Sequence, residues 1–165
     1  ENQVDGLITH LQRLGIPGLE VSENYITLTD EERHREIDRL QKHNLRVVYE
    51  YGRKRPDSPL DVVALGGIVS AVAEHGIDHV TVEQSEMDML AATAPDALTT
   101  LAAQPWFEHL VIEADPYRFP EQHVKLLKDF GPDVNLANIA PGQILRLEGF
   151  RRGVGRAVNY SILGT

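Results

Sequence analysis

Apolar residues at Val4, Leu7, Ile8, Leu11 and Leu14 recur with the helical period and Gly15 marks a stop, so the chain is predicted to open on a helix. The stretch GLEVS then reads as a short strand. LTDEERHREIDRLQKHN is predicted as a helix with Thr29 or Asp30 as N-cap, acids in its first turn and Asn44 at its C-terminal end. LRVVYEYG is the next strand. In DSPLDVVALGGIVSAVAEHG the pattern places Ser58 as cap, Pro59 at the first helical position and Gly76 as the stop, while the Gly66–Gly67 pair weakens the middle and admits a close neighbour. DHVTVEQS is a strand, MDMLAATAPDALTTLAAQ a helix broken at Pro95, HLVIEAD a strand and PEQHVKLLKDFG a helix. DVNLANI is the last strand and PGQILRLEGFRRG the last clear helix.

After the first helix, the pattern therefore repeats about five strand–helix units of roughly 30 residues, the size of βα repeats. The strands are short and apolar rather than alternating, which predicts a parallel sheet covered on both faces. This is an α/β chain. Two architectures fit, an open doubly wound sheet or part of a (β/α)8 barrel. EVSENYITLT, after the first strand, contains no glycine, which argues against a dinucleotide loop. In a barrel the C-terminal ends of the strands line the active site, so Glu20, Glu50, Glu83 and Glu113, each at or near a strand exit, are expected to converge on one mouth.

Composition narrows the partners. The 165 residues suit a single domain, with 42% hydrophobic and 25% charged residues. No apolar run approaches a membrane span and no signal-peptide pattern is visible, so a cytoplasmic protein is expected. Cysteine is absent, which excludes disulfides and thiolate sites. A net charge of −9 argues against nucleic acid as partner. The basic residues nonetheless bunch at Arg53, Lys54 and Arg55 and at Arg151, Arg152 and Arg156; such clusters suit either a small anion or a solvated surface. The histidines show no zinc-site spacing, and no P-loop, kinase or nucleophile-elbow motif is present.

FGPDVNLANIAPGQILRLEGFRRG resembles the C-terminal part of the phosphosulfolactate synthase family. The resemblance continues upstream in order through LGIPGLEVSE with DEER, VVYEYGRK, VTVEQSE and VIEADPYRFPEQHVKLLKDFGPDVNLANI, with VNLANI its most specific block. It implies a (β/α)8 barrel of which residues 1–165 supply the C-terminal portion. It also implies a Mg2+-dependent addition of sulfite to phosphoenolpyruvate on the way to coenzyme M. Residue 1 would fall shortly after the family's third strand. The missing strands are then expected from a second polypeptide, or the chain is a fragment, or it covers its edges by oligomerising. Four departures stand out: Ser85 where the family has Arg, Asp115 where Pro is typical, ENYI in place of an Asp-Gly, and a tail without the Arg-Gly-Asp-Thr ending.

The chemistry implied is stabilisation and protonation of a carbanionic, aci-carboxylate species. Glu50, Glu83 and Glu113 are the candidate ligands for Mg2+, directly or through water; pairing with a strand-end Arg or Lys is the other reading. Glu20, one position deeper, is either a catalytic group or a hydrogen-bonding partner. Lys54 matches the second lysine of a family Gly-Lys-Lys segment and is the candidate proton donor, with Arg53 keeping the charge of the first. Asn135 and Asn138 interrupt an otherwise apolar strand and suit substrate oxygens or loop backbone. Gly142, before the last helix, and Gln122, which matches a family Gln, are candidate contacts to a small anionic phosphorylated substrate. The departures keep open a non-catalytic, stress-associated or interaction protein of the same fold, and a site completed in trans.

Overall fold

A computed structural model describes residues 2–155 of the chain. Its elements run α1 (Asn2–Arg13), β1 (Gly18–Ser22), α2 (Asp30–Lys42), β2 (Arg46–Tyr51), α3 (Val62–Ala73) and β3 (Val80–Val82). They continue with α4 (Gln84–Thr93), α5 (Pro95–Ala102), β4 (Leu110–Glu113), α6 (Glu121–Phe130), β5 (Asn135–Ala137) and α7 (Ile144–Arg151). The five strands form one sheet in the order β1-β2-β3-β4-β5, every pair parallel. A doubly wound sheet reverses its strand order near the middle; an unbroken sequential order is the arc of a (β/α) barrel. The fold is α/β of the TIM-barrel type, with five βα units.

Register decides which residues share a face. Ser22 pairs with Glu50, Glu50 with Thr81, Thr81 with Val111, Val111 with Asn135 and Glu113 with Ala137. By the two-residue side-chain period, Glu20, Glu50 and Glu113 lie on the concave face. Val47, Tyr49, Val80, Val82, Leu110 and Ile112 point the other way, buried beneath the helices with Ile37, Leu65, Val72 and Leu127. Each such side chain contributes about 1.5–3 kcal/mol by leaving water. Here the expectation of a sheet covered on both faces is corrected. Val48, on the concave side of β2, is 45% exposed, because that face looks into the barrel axis rather than onto a helix layer.

Local chemistry explains most element boundaries. Thr29 caps α2 in a reciprocal box, its hydroxyl accepting from Glu32 N at 3.2 Å while Glu32 accepts from Thr29 N at 2.9 Å. Asn44 closes α2 at φ 58°. α3 starts later than expected: Asp61, not Ser58, is the cap, its carboxylate accepting from Val63 N at 2.8 Å and Ala64 N at 3.1 Å. Leu60 is buried in the core, so Ser58 and Pro59 belong to the loop that delivers it. Of the glycine pair only Gly66 meets a neighbour; a Cβ there would lie 3.0 Å from the Trp106 ring. His34 and His75 meet between α2 and α3, ring nitrogens 2.5 Å apart. No helix among the described residues is long and apolar enough to cross a membrane.

Candidate functional site

The concave face brings three of the four strand-exit glutamates together. Glu50 is the fifth residue of β2 and Glu113 the last of β4. Glu83 follows β3 directly, its N–H donating to Tyr51 O at 2.9 Å, so the ladder carries it one residue past the strand. Each offers a carboxylate oxygen, and these atoms all lie within 4.8 Å of one another. Glu50 and Glu83 are only 3% and 2% exposed.

Neighbours hold each carboxylate in place. Glu50 Oε2 accepts from Ser22 Oγ and from Asn24 Nδ2, both at 2.7 Å. Glu83 doubles as N-cap of α4, its Oε1 accepting from Ser85 N at 3.3 Å and Ser85 Oγ at 3.2 Å. Glu113 accepts from Asn138 Nδ2 at 2.5 Å and from Gln84 N at 3.4 Å. Asn138 reaches it because the chain turns at φ 59° directly after β5. The Lys54 ammonium, on the loop after β2, is ion-paired with Glu83 and lies 3.5 Å from Glu113 Oε2.

The charges do not balance: three close carboxylates face one ammonium. Burial raises the pKa of Glu83, with Lys54 opposing and Glu113 adding to the rise. Burial by itself would lower Lys54, but Glu83, Glu113 and Glu50 outweigh it and raise the amine above its usual value. Glu20 sits exposed, two residues below Ser22 on the same face; desolvation of its carboxyl and then the nearby Glu50 carboxylate raise its pKa. Asn24 Oδ1 is a buried acceptor with no hydrogen-bond donor among the described residues. Oxygens from Glu50, Glu83 and Glu113, with that amide oxygen beside Glu50, are the donor class hard divalent cations prefer, and the excess negative charge is of the sign such an ion would neutralise. The same arrangement holds a proton on Lys54 against a face open to ligand.

Over residues 1–156 the chain matches the family model described as (2R)-phospho-3-sulfolactate synthase (ComA). The chain belongs to this family. It is 28% identical over 163 residues to the phosphosulfolactate synthase of Methanocaldococcus jannaschii, an alignment covering 93% of this chain and 64% of that protein. To the phosphosulfolactate synthase of Methanothermobacter thermautotrophicus it is 29% identical over 165 residues, covering 93% of this chain and 62% of the relative. The chain thus spans less than two thirds of the length of these curated relatives.

Within the family frame, the expected site residues divide. Glu50, Glu83, Glu113, Lys54 and Asn138 meet, with Glu20 adjoining. Asn135 stays away: its amide donates to Glu108 O at 3.0 Å and Leu110 O at 3.2 Å, a backbone tie at the opposite end of β4. Gln122 is buried and its Oε1 accepts from Asp115 N at 2.7 Å, so it anchors the loop after β4. Gly142 lies exposed in the turn Pro141–Gln143 ahead of α7, with open space around its Cα. Arg53 points its guanidinium at Thr27 Oγ1, 2.6 Å away. Arg151 donates to Pro132 O and Val134 O, Arg152 pairs with Glu148, and Arg156 lies outside the described residues. Two residues in contact with the cluster, Ser22 and Asn24, escaped the sequence reading. Ser22 was findable, since it shares the face of Glu20 two positions on; Asn24 lies beyond the strand, where no period applies.

Proposed function

We propose that this chain carries the metal-and-acid side of a Mg2+-dependent centre joining sulfite to phosphoenolpyruvate, a small anionic phosphorylated substrate. One observation carries the reading: in a chain of this family, the Lys54 ammonium is ion-paired inside a cluster of three strand-exit carboxylates. The sulfur lone pair of sulfite forms the C–S bond at the substrate methylene. The π pair moves to the carbon bearing the phosphate and delocalises into the carboxylate. Lys54 Nζ then gives a proton to that carbon, completing the addition with no leaving group. Its ion pair with Glu83 holds the ammonium at the edge of the cluster, facing the substrate side. Mg2+ held by Glu50, Glu83 and Glu113 would supply positive charge opposite the substrate carboxylate. Ser22, Asn24 and Asn138 orient those carboxylates, and Glu20 lies below them on the same face.

The sheet has unpaired edges at β1 and β5 among the described residues, and exposed parallel edges invite pairing. The proposal therefore includes further strands flanking the concave face, from elsewhere in the same protein, another polypeptide or a second copy. A non-catalytic binding role has one observation in its favour. Ser85, at a family arginine position, spends its hydroxyl on Glu83 and brings no cation to the site.

The deciding experiment incubates the complete protein with phosphoenolpyruvate, sulfite and Mg2+ and follows phosphosulfolactate by 31P NMR. Turnover is expected, and Lys54→Ala should lower kcat by about 10²–10⁴-fold, the span of a lost general acid. Absence of product from the wild-type protein, or full activity in Lys54→Ala, overturns the reading; Mg2+-dependent substrate binding without product selects the binding role.

A further inference from the structure

Glu86 is a buried carboxylate that neither the proposed chemistry nor an ion pair with a core cation accounts for. It is 7% exposed, in the first turn of α4, three residues after Glu83. Its Oε1 accepts from Arg53 N at 2.8 Å, and Arg53 is the residue before Lys54. Gly52 precedes both at φ 114°, a backbone region that side chains other than hydrogen rarely enter. A Cβ built on Gly52 would lie 2.6 Å from Glu86 Cγ and 3.0 Å from Glu83 Cβ. The loop backbone is thus pressed onto the Glu86 side chain and hydrogen-bonded to it. Elsewhere the loop's hold is thin. Lys54 N donates to Asn24 O at a long 3.3 Å, and the Arg53 guanidinium donates to the exposed Thr27 hydroxyl and attracts Glu86 by charge. One flank of the loop borders an open cavity of about 350 Å3 lined by Gly52, Arg53, Pro56 and Asp57.

We infer that Glu86 is a positioning residue for Lys54: with Gly52 it forms a latch that sets the loop height from which the lysine reaches Glu83 and Glu113. Burying a carboxylate costs free energy unless its bonds return it. This one is spent on a backbone N–H next to the proposed acid rather than on the core. The catalytic meaning of the latch rests on the role proposed for Lys54. The geometric claim does not, and the two are tested separately.

Competitive labelling of the complete protein with acetic anhydride, followed by peptide mass mapping, reads how tightly the Lys54 amine is held relative to Lys125 in the same molecule. In the wild type Lys54 should label slowly. In Glu86→Ala its rate relative to Lys125 should rise about fivefold, the order expected when an amine loses its carboxylate partners. Gly52→Ala, which forces the loop off the latch from the other side, should do the same. Glu86→Gln keeps an acceptor oxygen and should restore slow labelling. Circular dichroism of each variant separates release of the loop from loss of fold, and Gly52→Ala with Glu86→Gln keep the test standing if Glu86→Ala fails to fold. Wild-type labelling of Lys54 in folded Glu86→Ala or Gly52→Ala, or fast labelling in folded Glu86→Gln, overturns the inference. If the protein also turns over substrate, Glu86→Ala should lower kcat about tenfold with KM unchanged, the size typical of a lost supporting contact. A protein without synthase activity that still shows the labelling pattern refutes the proposed function and leaves the latch intact.

Discussion

Two groups of buried carboxylates lie side by side in this sheet, and they are built on opposite principles. Glu23, just past β1, is 4% exposed; it takes Arg33 Nη2 at 2.9 Å, the Tyr49 hydroxyl and Leu28 N at 3.0 Å. Arg33 is fully engaged in turn, with Tyr49 Oη at 2.7 Å and Asp30 at 2.5 Å. Within the core one guanidinium meets one carboxylate, Asp30 being largely solvated, and both Glu23 oxygens accept hydrogen bonds. Along the same ladder, where Glu23 N donates to Glu50 O at 3.1 Å, the cluster of Glu50, Glu83 and Glu113 has one partly exposed lysine for three acids. A matched pair ties α2 to β2 and has nothing left to offer. A mismatched cluster keeps charge and acceptor capacity in reserve, and that reserve is what a cation and a reacting anion can use.

The sharpest way to break the comparison is to remove one cation from each group. Arg33→Ala strands Glu23 in the core and should cost about 3–5 kcal/mol in urea unfolding. Lys54→Ala should cost clearly less, because its ammonium is partly solvated and Glu83 keeps Ser85 N and Oγ as donors. Equal losses would make the cluster as structural as the pair. A smaller effect comes from adding charge instead of removing it. Mg2+ at a hundredfold excess over its dissociation constant should stabilise the folded protein by about 2.7 kcal/mol. Glu113→Gln should abolish most of that gain in a thermal melt, and Arg33→Ala, though less stable, should keep it. No metal-dependent shift in the wild type would remove the cluster's proposed role.

The smallest expected effect is in pH dependence. In metal-free buffer the folded-state pKa of Glu83 is raised above 4.5, so the folded protein takes up this proton before the unfolded chain does. Its contribution therefore makes the fold more stable as pH falls through that raised value, is complete below 4.5, and is a cost at neutral pH. Glu83→Gln should flatten this segment of a plot of urea midpoint against pH. An unaltered profile would show that Lys54 already neutralises Glu83.

Much of this was legible along the chain. Helices and strands announced themselves through period and caps, Thr29 and Asn44 among them, and the strand-exit glutamates were visible as carboxylates where apolar runs should simply end. The start of α3 was not, because Ser58-Pro59 and Asp61 are both plausible caps and only the burial of Leu60 chooses between them. The two asparagines of VNLANI looked equivalent. Asn138 turns into the cluster and Asn135 ties backbone at the far end of β4, a difference set by one left-handed residue and by register. Gln122 matched a family residue in sequence, yet its reach is spent on Asp115 N.

What the sequence by itself determined is therefore local: element type follows from side-chain period and capping, and the barrel-type order follows from the repeated strand–helix unit and the family pattern. What only the tertiary structure decided is which polar groups share a partner. Strand register places Glu50, Glu83 and Glu113 within one ion's reach, a glycine fit sets Lys54 against them, and Arg33 is drawn to Glu23 instead. Those pairings depend on distances across the sheet between residues from 10 positions apart, as Glu23 and Arg33, to 63, as Glu50 and Glu113. No periodicity along a chain encodes such distances.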